Sequence, residues 1–335
     1  MFALEASSAA INEANIRARQ CFACGRAPTN GAGEHVIPKW LQSKLRLFDE
    51  RLTLLNKTQI PYRNLTVPCC AECNNGFLSR IEHAVEPIFN RGTLIEGDEL
   101  VVGRWLSKIL IGILVKETGL ASDRINPHRG PIVDPAFVEE FHHCHFVMQS
   151  ARKPTSFRCL DSEFPFSLYH YPILDDGSDT FDLTTNVFGQ SIALRTNTLG
   201  VVYINDGGLQ LYVGPKGPFG LSGSAVTPTQ FAELSARIHY KAALRDATHS
   251  YLTAEDDRTL QLEQVRVKSF SGFIPGTDEV QIFKDWNEEQ FSYALEAYTR
   301  TPRSEIYDAE SGQCRTTLGN LLSRATALAA TSRVD

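Results

Sequence analysis

Two cysteine pairs with identical spacing, Cys21-x2-Cys24 and Cys70-x2-Cys73, set the tightest limit on how this chain can fold. Each pair puts two thiols on one tight knuckle. Two knuckles complete a tetrahedral site with Zn–S bonds of about 2.3 Å. Four sulfurs leave no open coordination position, so a zinc ion held this way is structural. The region between the pairs carries few large apolar residues and gains from such a staple. Cys69 competes with Cys70 for a place in the site, but only Cys70 gives the two-residue gap to Cys73. Five of the eight cysteines fall between residues 21 and 73. Glu5 and Glu13 interrupt what would be the apolar centre of a secretory leader, so that clustering points to metal rather than disulfides. The plain alternative is a group of free buried thiols.

Composition brings in the partners. With 335 residues, 42% hydrophobic and 21% charged, the chain is an ordinary globular sequence long enough for two domains. No run approaches the roughly 18 apolar residues that span a bilayer. The longest candidate, Leu106 to Val115, is broken by Lys108. A soluble, cytoplasmic protein without membrane contact is expected. The net charge of −6 argues at first against nucleic acid. Residues 1–90, however, hold ten Lys and Arg against eight Asp and Glu, a net of +2, while the remainder holds 23 against 31. The acid belongs to the later part, and the first ninety residues permit nucleic-acid binding.

Local pattern gives a short polar helix over 5–19 and a turn at 29–33. A short strand is expected at 34–37, stopped by Pro38, then a helix over 40–48 and a short β-compatible stretch at 64–67. A helix follows from Asn74 to about Val85, ended by Pro87. Residues 100–117 read as a buried core helix, and the Pro-, Gly- and Asp-rich interval 118–136 as a boundary. Strands are expected at 146–148, 166–171, 191–196, 200–204 and 209–213, with Asn205-Asp206-Gly207-Gly208 as a hairpin turn. Helices are expected at 227–244, capped by Thr227 or Thr229, and at 286–298 and 318–330.

Between the knuckles lies Gly33-Glu34-His35-Val36-Ile37-Pro38. Asn64-Leu65 comes later, and Asn74-Asn75-Gly76 follows the last knuckle cysteine. Together with the two pairs, these stretches resemble the HNH endonuclease superfamily over about residues 18–90. The resemblance implies an N-terminal ββα-metal (treble-clef) zinc finger within residues 1–90; the local pattern adds a helical connector at 91–120 and a mixed α+β domain at 121–335, an α+β fold in all. The resemblance further implies a metal-dependent endonuclease that hydrolyses phosphodiester bonds in nucleic acid, DNA foremost. His35 matches the general base, Glu34 and Asn74 the ligands of a catalytic Mg²⁺ or Mn²⁺, and Asn64 the residue that holds the loop and positions His35. This is an H-N-N variant, and Glu34 stands where most members carry Asp. Asn75 is an alternative to Asn74, and Glu82 a further candidate on the same helical face.

The chemistry suits these roles. A histidine titrating near neutrality can take a proton from water, and oxygen ligands favour Mg²⁺ or Mn²⁺ over zinc. Arg63 and Arg80 are candidate phosphate contacts, or plain surface charges. His142-His143-Cys144-His145 looks metal-like but has no partner cluster nearby, and a structural role is expected. The glycine-rich 214–223 stretch lacks a phosphate-loop Gly-Lys-Ser/Thr. The competing function is a non-catalytic zinc finger that grips nucleic acid or protein. Substrate selection, sensing or oligomerisation falls to the later domain, and an effector role in defence against foreign DNA is compatible by analogy alone.

Overall fold

The computed structural model describes residues 11–29, 33–159, 162–174, 177, 181–210, 221–246, 249–256, 258–266 and 282–319. It is a mixed α+β chain in two compact units. The first holds Met1–Ile88, Glu96–Phe157 and Thr253–Leu262; the second holds Phe89–Ile95, Arg158–Leu252 and Glu263–Asp335. Residues 118–136, read from composition as a boundary, lie inside the first unit. No helix among the described residues is long and apolar enough to cross a membrane.

In the first unit, α1 (Glu13–Arg17) is capped by the Asn12 side chain and precedes the first knuckle. Strand β1 (Gly33–His35) leads through Pro38 into α2 (Lys39–Lys44). A small hairpin, β2 (Arg51–Thr53) and β3 (Gln59–Pro61), comes next. Strand β4 (Thr66–Pro68) then pairs antiparallel with β1, Glu34 opposite Val67 and His35 opposite Thr66. A single helical turn, Ala71–Cys73, and a π-turn, Asn74–Leu78, open helix α3 (Ser79–Arg91). Pro87 lies inside α3 and does not end it. A proline removes one helical hydrogen bond, and burial of Val85 and Ile88 on either side holds the helix through that gap.

Helix α4 (Asp98–Thr118) is the core of this unit. Val102, Trp105, Leu106, Ile109, Leu110 and Leu114 are fully buried on several faces, so it shows no single apolar stripe. Asp98 and Glu99 open it and Lys116 closes it, matching the helix dipole. Gly112 lets it approach the strand region closely: a Cβ there would lie 2.9 Å from Val36 Cγ2. Trp105 stacks on Trp40 of α2, ring centroids 6.4 Å apart. Helix α5 (His142–Gln149) packs along α4. This corrects the strand expected at 146–148. A three-residue apolar run fits either state, and here Cys144, Met148 and Val147 are buried as parts of a helix against α4. The same helix carries His142 to His145. Strand β5 (Thr155–Arg158) follows, and the returning segment docks beside it through Leu260 N to Pro154 O at 3.0 Å.

The second unit is built on a four-stranded antiparallel sheet in the order β6 (Ser167–Pro172), β9 (Leu199–Ile204), β8 (Ser191–Thr196), β7 (Phe181–Asn186). Every residue of the central pair β8 and β9 is buried. Helix α6 (Pro228–Ala243) covers one face with Phe231, Leu234 and Ile238 against Tyr169, Tyr171 and Val202. Thr227 starts it with a complete capping box to Gln230. Helix α7 (Glu288–Thr299) adds Phe291 and Leu295 against Ala236 of α6. The hairpin expected at 205–208 is not formed. The buried Asp206 carboxylate instead accepts from Gly208 N at 2.9 Å and Gln210 N at 2.8 Å, and Leu209 and Gln210 are helical rather than extended. Residues 211–213 of the expected strand, and 320–330 of the expected last helix, lie outside the described residues, as do 5–10 of the first helix.

Candidate metal centre and active site

The first knuckle carries Phe22 and Ala23 between its cysteines, both buried. The second starts at Cys70, one residue beyond the end of β4 at Pro68 with Cys69 between, and ends at Cys73 in the helical turn before the π-turn. The ligand atoms of Cys21, Cys24, Cys70 and Cys73 all lie within 4.8 Å of one another, with Cys24 and Cys70 Sγ 3.6 Å apart. A tetrahedron of Zn–S bonds has S···S edges of about 3.8 Å, so the quartet can hold a metal such as zinc. Soft sulfur donors favour that choice. Cys69 Sγ sits 3.8 Å from Cys21 Sγ but bonds to the Cys70 carbonyl at 3.5 Å and is outside the quartet.

Four thiols this close cannot all ionise unless a cation joins them. Cys21 is drawn far down by hydrogen bonds from Cys24, Cys69 and Cys73, while Cys73 is pushed far up by Cys21 and Cys24. Two guanidinium groups ease the negative charge from outside: Arg26 Nε donates to Cys24 Sγ at 3.4 Å and Arg152 Nη2 to Cys73 Sγ at 3.2 Å. Among the described residues, this quartet is the only group of three or more His, Cys, Asp or Glu side chains placed to hold a metal.

His35 and Glu34 are neighbours on β1, so their side chains leave opposite faces of the strand. His35 is half-buried; burial, then the charges of Lys39 and Lys108, lower its pKa, which keeps the imidazole neutral and able to accept a proton. Glu34 is buried and its carboxylate pairs with the ammonium of Lys108, a residue with no exposed surface. Glu82 of α3 pairs with the same ammonium, and Lys108 Nζ also donates to the His35 carbonyl at 2.9 Å. Burial works against the Lys108 charge, but Glu34 and Glu82 outweigh it and raise its pKa. Burial pushes Glu34 up to about 7 against the pull of Lys108. One cation thus ties β1, α3 and α4 together.

Asn64 is exposed at the end of a 3₁₀ turn; its carbonyl accepts from Lys116 Nζ at 2.9 Å. Backbone support for the residue after His35 comes from Leu65, whose carbonyl accepts from Val36 N at 2.9 Å. Asn74 is half-buried and begins the π-turn. Arg63 pairs with Asp49, and Arg80 is exposed. His145 is buried with Nε2 3.0 Å from the Phe22 carbonyl, and burial lowers its pKa to about 4.

The catalytic Mg²⁺ or Mn²⁺ that the HNH resemblance implies does not fit Glu34 as placed. That carboxylate is turned into the core and committed to Lys108. Sequence reasoning treated Lys108 only as a break in an apolar run. A lysine within the helical neighbourhood of Trp105, Leu106, Ile109 and Leu110 was itself a signal, because a buried ammonium needs buried carboxylates. No family model, no curated protein and no solved structure matches the chain.

Proposed function

We propose that the first unit is a zinc-stapled endonuclease of HNH type, acting on phosphodiester bonds in DNA, with His35 as general base. The observation that carries this reading is the order and pairing of its parts. A His-bearing strand, β1, pairs with β4; β4 leads to the second knuckle; and Asn74 follows the last knuckle cysteine inside the helical segment that continues into α3. Together with the cysteine quartet, this succession supports the ββα finger reading that the motifs suggest. The neutral His35 would take a proton from the attacking water. The Lys108 bond to its carbonyl would fix the strand end on which it stands. No step is drawn through a catalytic divalent ion.

A second reading has its own support. In a finger that grips nucleic acid or protein without cutting, Glu34 serves only as an internal partner of Lys108, the role its burial already gives it. Plasmid nicking separates the two. The purified full chain, with Mg²⁺ or Mn²⁺ present, is expected to relax supercoiled DNA, and His35→Ala to slow this by at least about 100-fold. Equal nicking by the variant would remove His35 as base. An intact protein that never nicks would leave the binding finger.

A further inference from the structure

The quartet is completed from outside the finger. We infer that helix α5 and the turn after it form an outer clasp on the metal centre, with Arg152 joining its two knuckles from the buried side as Arg26, bonded to Cys24 and Glu72, does at the surface. Phe22 and Ala23, the two residues inside the first knuckle, are buried, so their carbonyls need donors. Those donors are side chains of α5: His145 Nε2 lies 3.0 Å from the Phe22 carbonyl, and Gln149 Nε2 donates to that of Ala23. Gln149 Oε1 in turn accepts from Arg152 Nε. The other end of the same guanidinium reaches the second knuckle, Nη2 donating to Cys73 Sγ at 3.2 Å. Its plane is held over Phe77, 4.2 Å from the ring centroid, four residues after Cys73. Arg152 is therefore bonded to the second knuckle directly and to the first through Gln149.

The reason is electrostatic. Four thiolates around a divalent ion leave two net negative charges, and buried charge without a partner is costly. A planar guanidinium supplies both the compensating charge and a fork of N–H donors that an ammonium cannot reproduce. Outer-shell partners of this kind set how firmly a metal is held. Here that partner lies 79 residues from the cysteine it touches. Metal retention is then a property of the whole first unit rather than of the finger alone.

The inference rests on the quartet holding zinc and is independent of any nuclease activity. The test loads the full chain with zinc and follows its transfer to a chromogenic chelator; cobalt-substituted protein reports ligand geometry through its absorption bands. Arg152→Ala is expected to release zinc roughly tenfold faster or more and to shift the cobalt bands. Arg152→Lys should fall between it and wild type, and Arg129→Ala, at an exposed pair with Asp123, should leave both unchanged. Should Arg152→Ala fail to fold, Arg152→Lys and hydrogen exchange on wild type decide the matter: stripping zinc should raise exchange at 145–152 along with both knuckles. Wild-type release kinetics and cobalt bands in the Arg152 variants, or unchanged exchange at 145–152 on zinc removal, would overturn the clasp. A wild-type chain that binds no stoichiometric zinc would overturn the staple itself and the clasp with it.

Discussion

The two units hold themselves together by different means. In the first, β1 and β4 have three residues each, and Glu34, Lys108 and His145 are buried polar groups. Around the apolar core on α4, cross-links tie its short elements in place: a cysteine quartet, an ammonium shared by two carboxylates, and α5 side chains bonded to knuckle carbonyls. In the second, four six-residue strands form one sheet, its central pair buried throughout, and Phe231 packs so close to β9 that any side chain at Gly200 would collide with its ring. Short strands bury too little apolar surface to be stable alone, so the knuckle region of the first unit depends on a few strong, specific ties. Long strands spread the same task over many weak contacts.

Metal removal should break this contrast open most widely. A structural zinc contributes on the order of 10 kcal/mol to a small domain. Chelation, or Cys73→Ser, is expected to unfold the region around both knuckles while amide protection across β8 and β9 persists. Hydrogen exchange read by mass spectrometry checks it; equal loss of protection in β8 and β9 would erase the distinction.

The next largest effect is expected at Lys108. Replacing it with methionine leaves two carboxylates in the core without a counter-charge and should cost about 3–5 kcal/mol. Adding Glu34→Gln and Glu82→Gln to that variant should restore most of the loss. Urea unfolding of the single and triple variants measures both. A single variant as stable as wild type would mean that the ammonium is not a tie at all.

A smaller effect lies in the second unit, where a buried imidazole, rather than an ion pair, responds to pH. His239, hydrogen-bonded to Tyr298, is held by burial at about 3, against 6.5 for an ordinary histidine. Its folded pKa is below its unfolded one, so the folded state binds fewer protons. Stability is complete above pH 6.5 and drains as pH falls toward 3, by about 1.4 kcal/mol per pH unit. From pH 7 to 5 the second unit should lose about 2 kcal/mol from this group, and His239→Gln should flatten that slope. Matching slopes in the variant and the wild type would place the proton elsewhere.

Much of this was legible in the chain. The cysteine spacing preferred Cys70 to Cys69, and the quartet agrees. The apolar density of 100–117 marked α4 as buried, and Thr227-Pro228-Thr229-Gln230 announced a capped helix. The strands expected at 166–171, 191–196 and 200–204 correspond to β6, β8 and β9. These succeed because each depends on residues a few positions apart, whose sterics and hydrogen bonds are local. The misreadings at 146–148, 205–208 and Pro87 fall where two local options nearly balance and a distant surface chooses between them.

Sequence alone determined that four thiols would meet and that a histidine-bearing strand would precede the second knuckle. Tertiary structure alone decided that Glu34 would spend its carboxylate on Lys108, that His145 would turn a ring nitrogen to Phe22, and that Arg152 would reach Cys73. The last two pairs lie 123 and 79 residues apart in the chain. Which of many buried faces meets another is set by the packing of whole helices, and no short stretch of sequence carries that information.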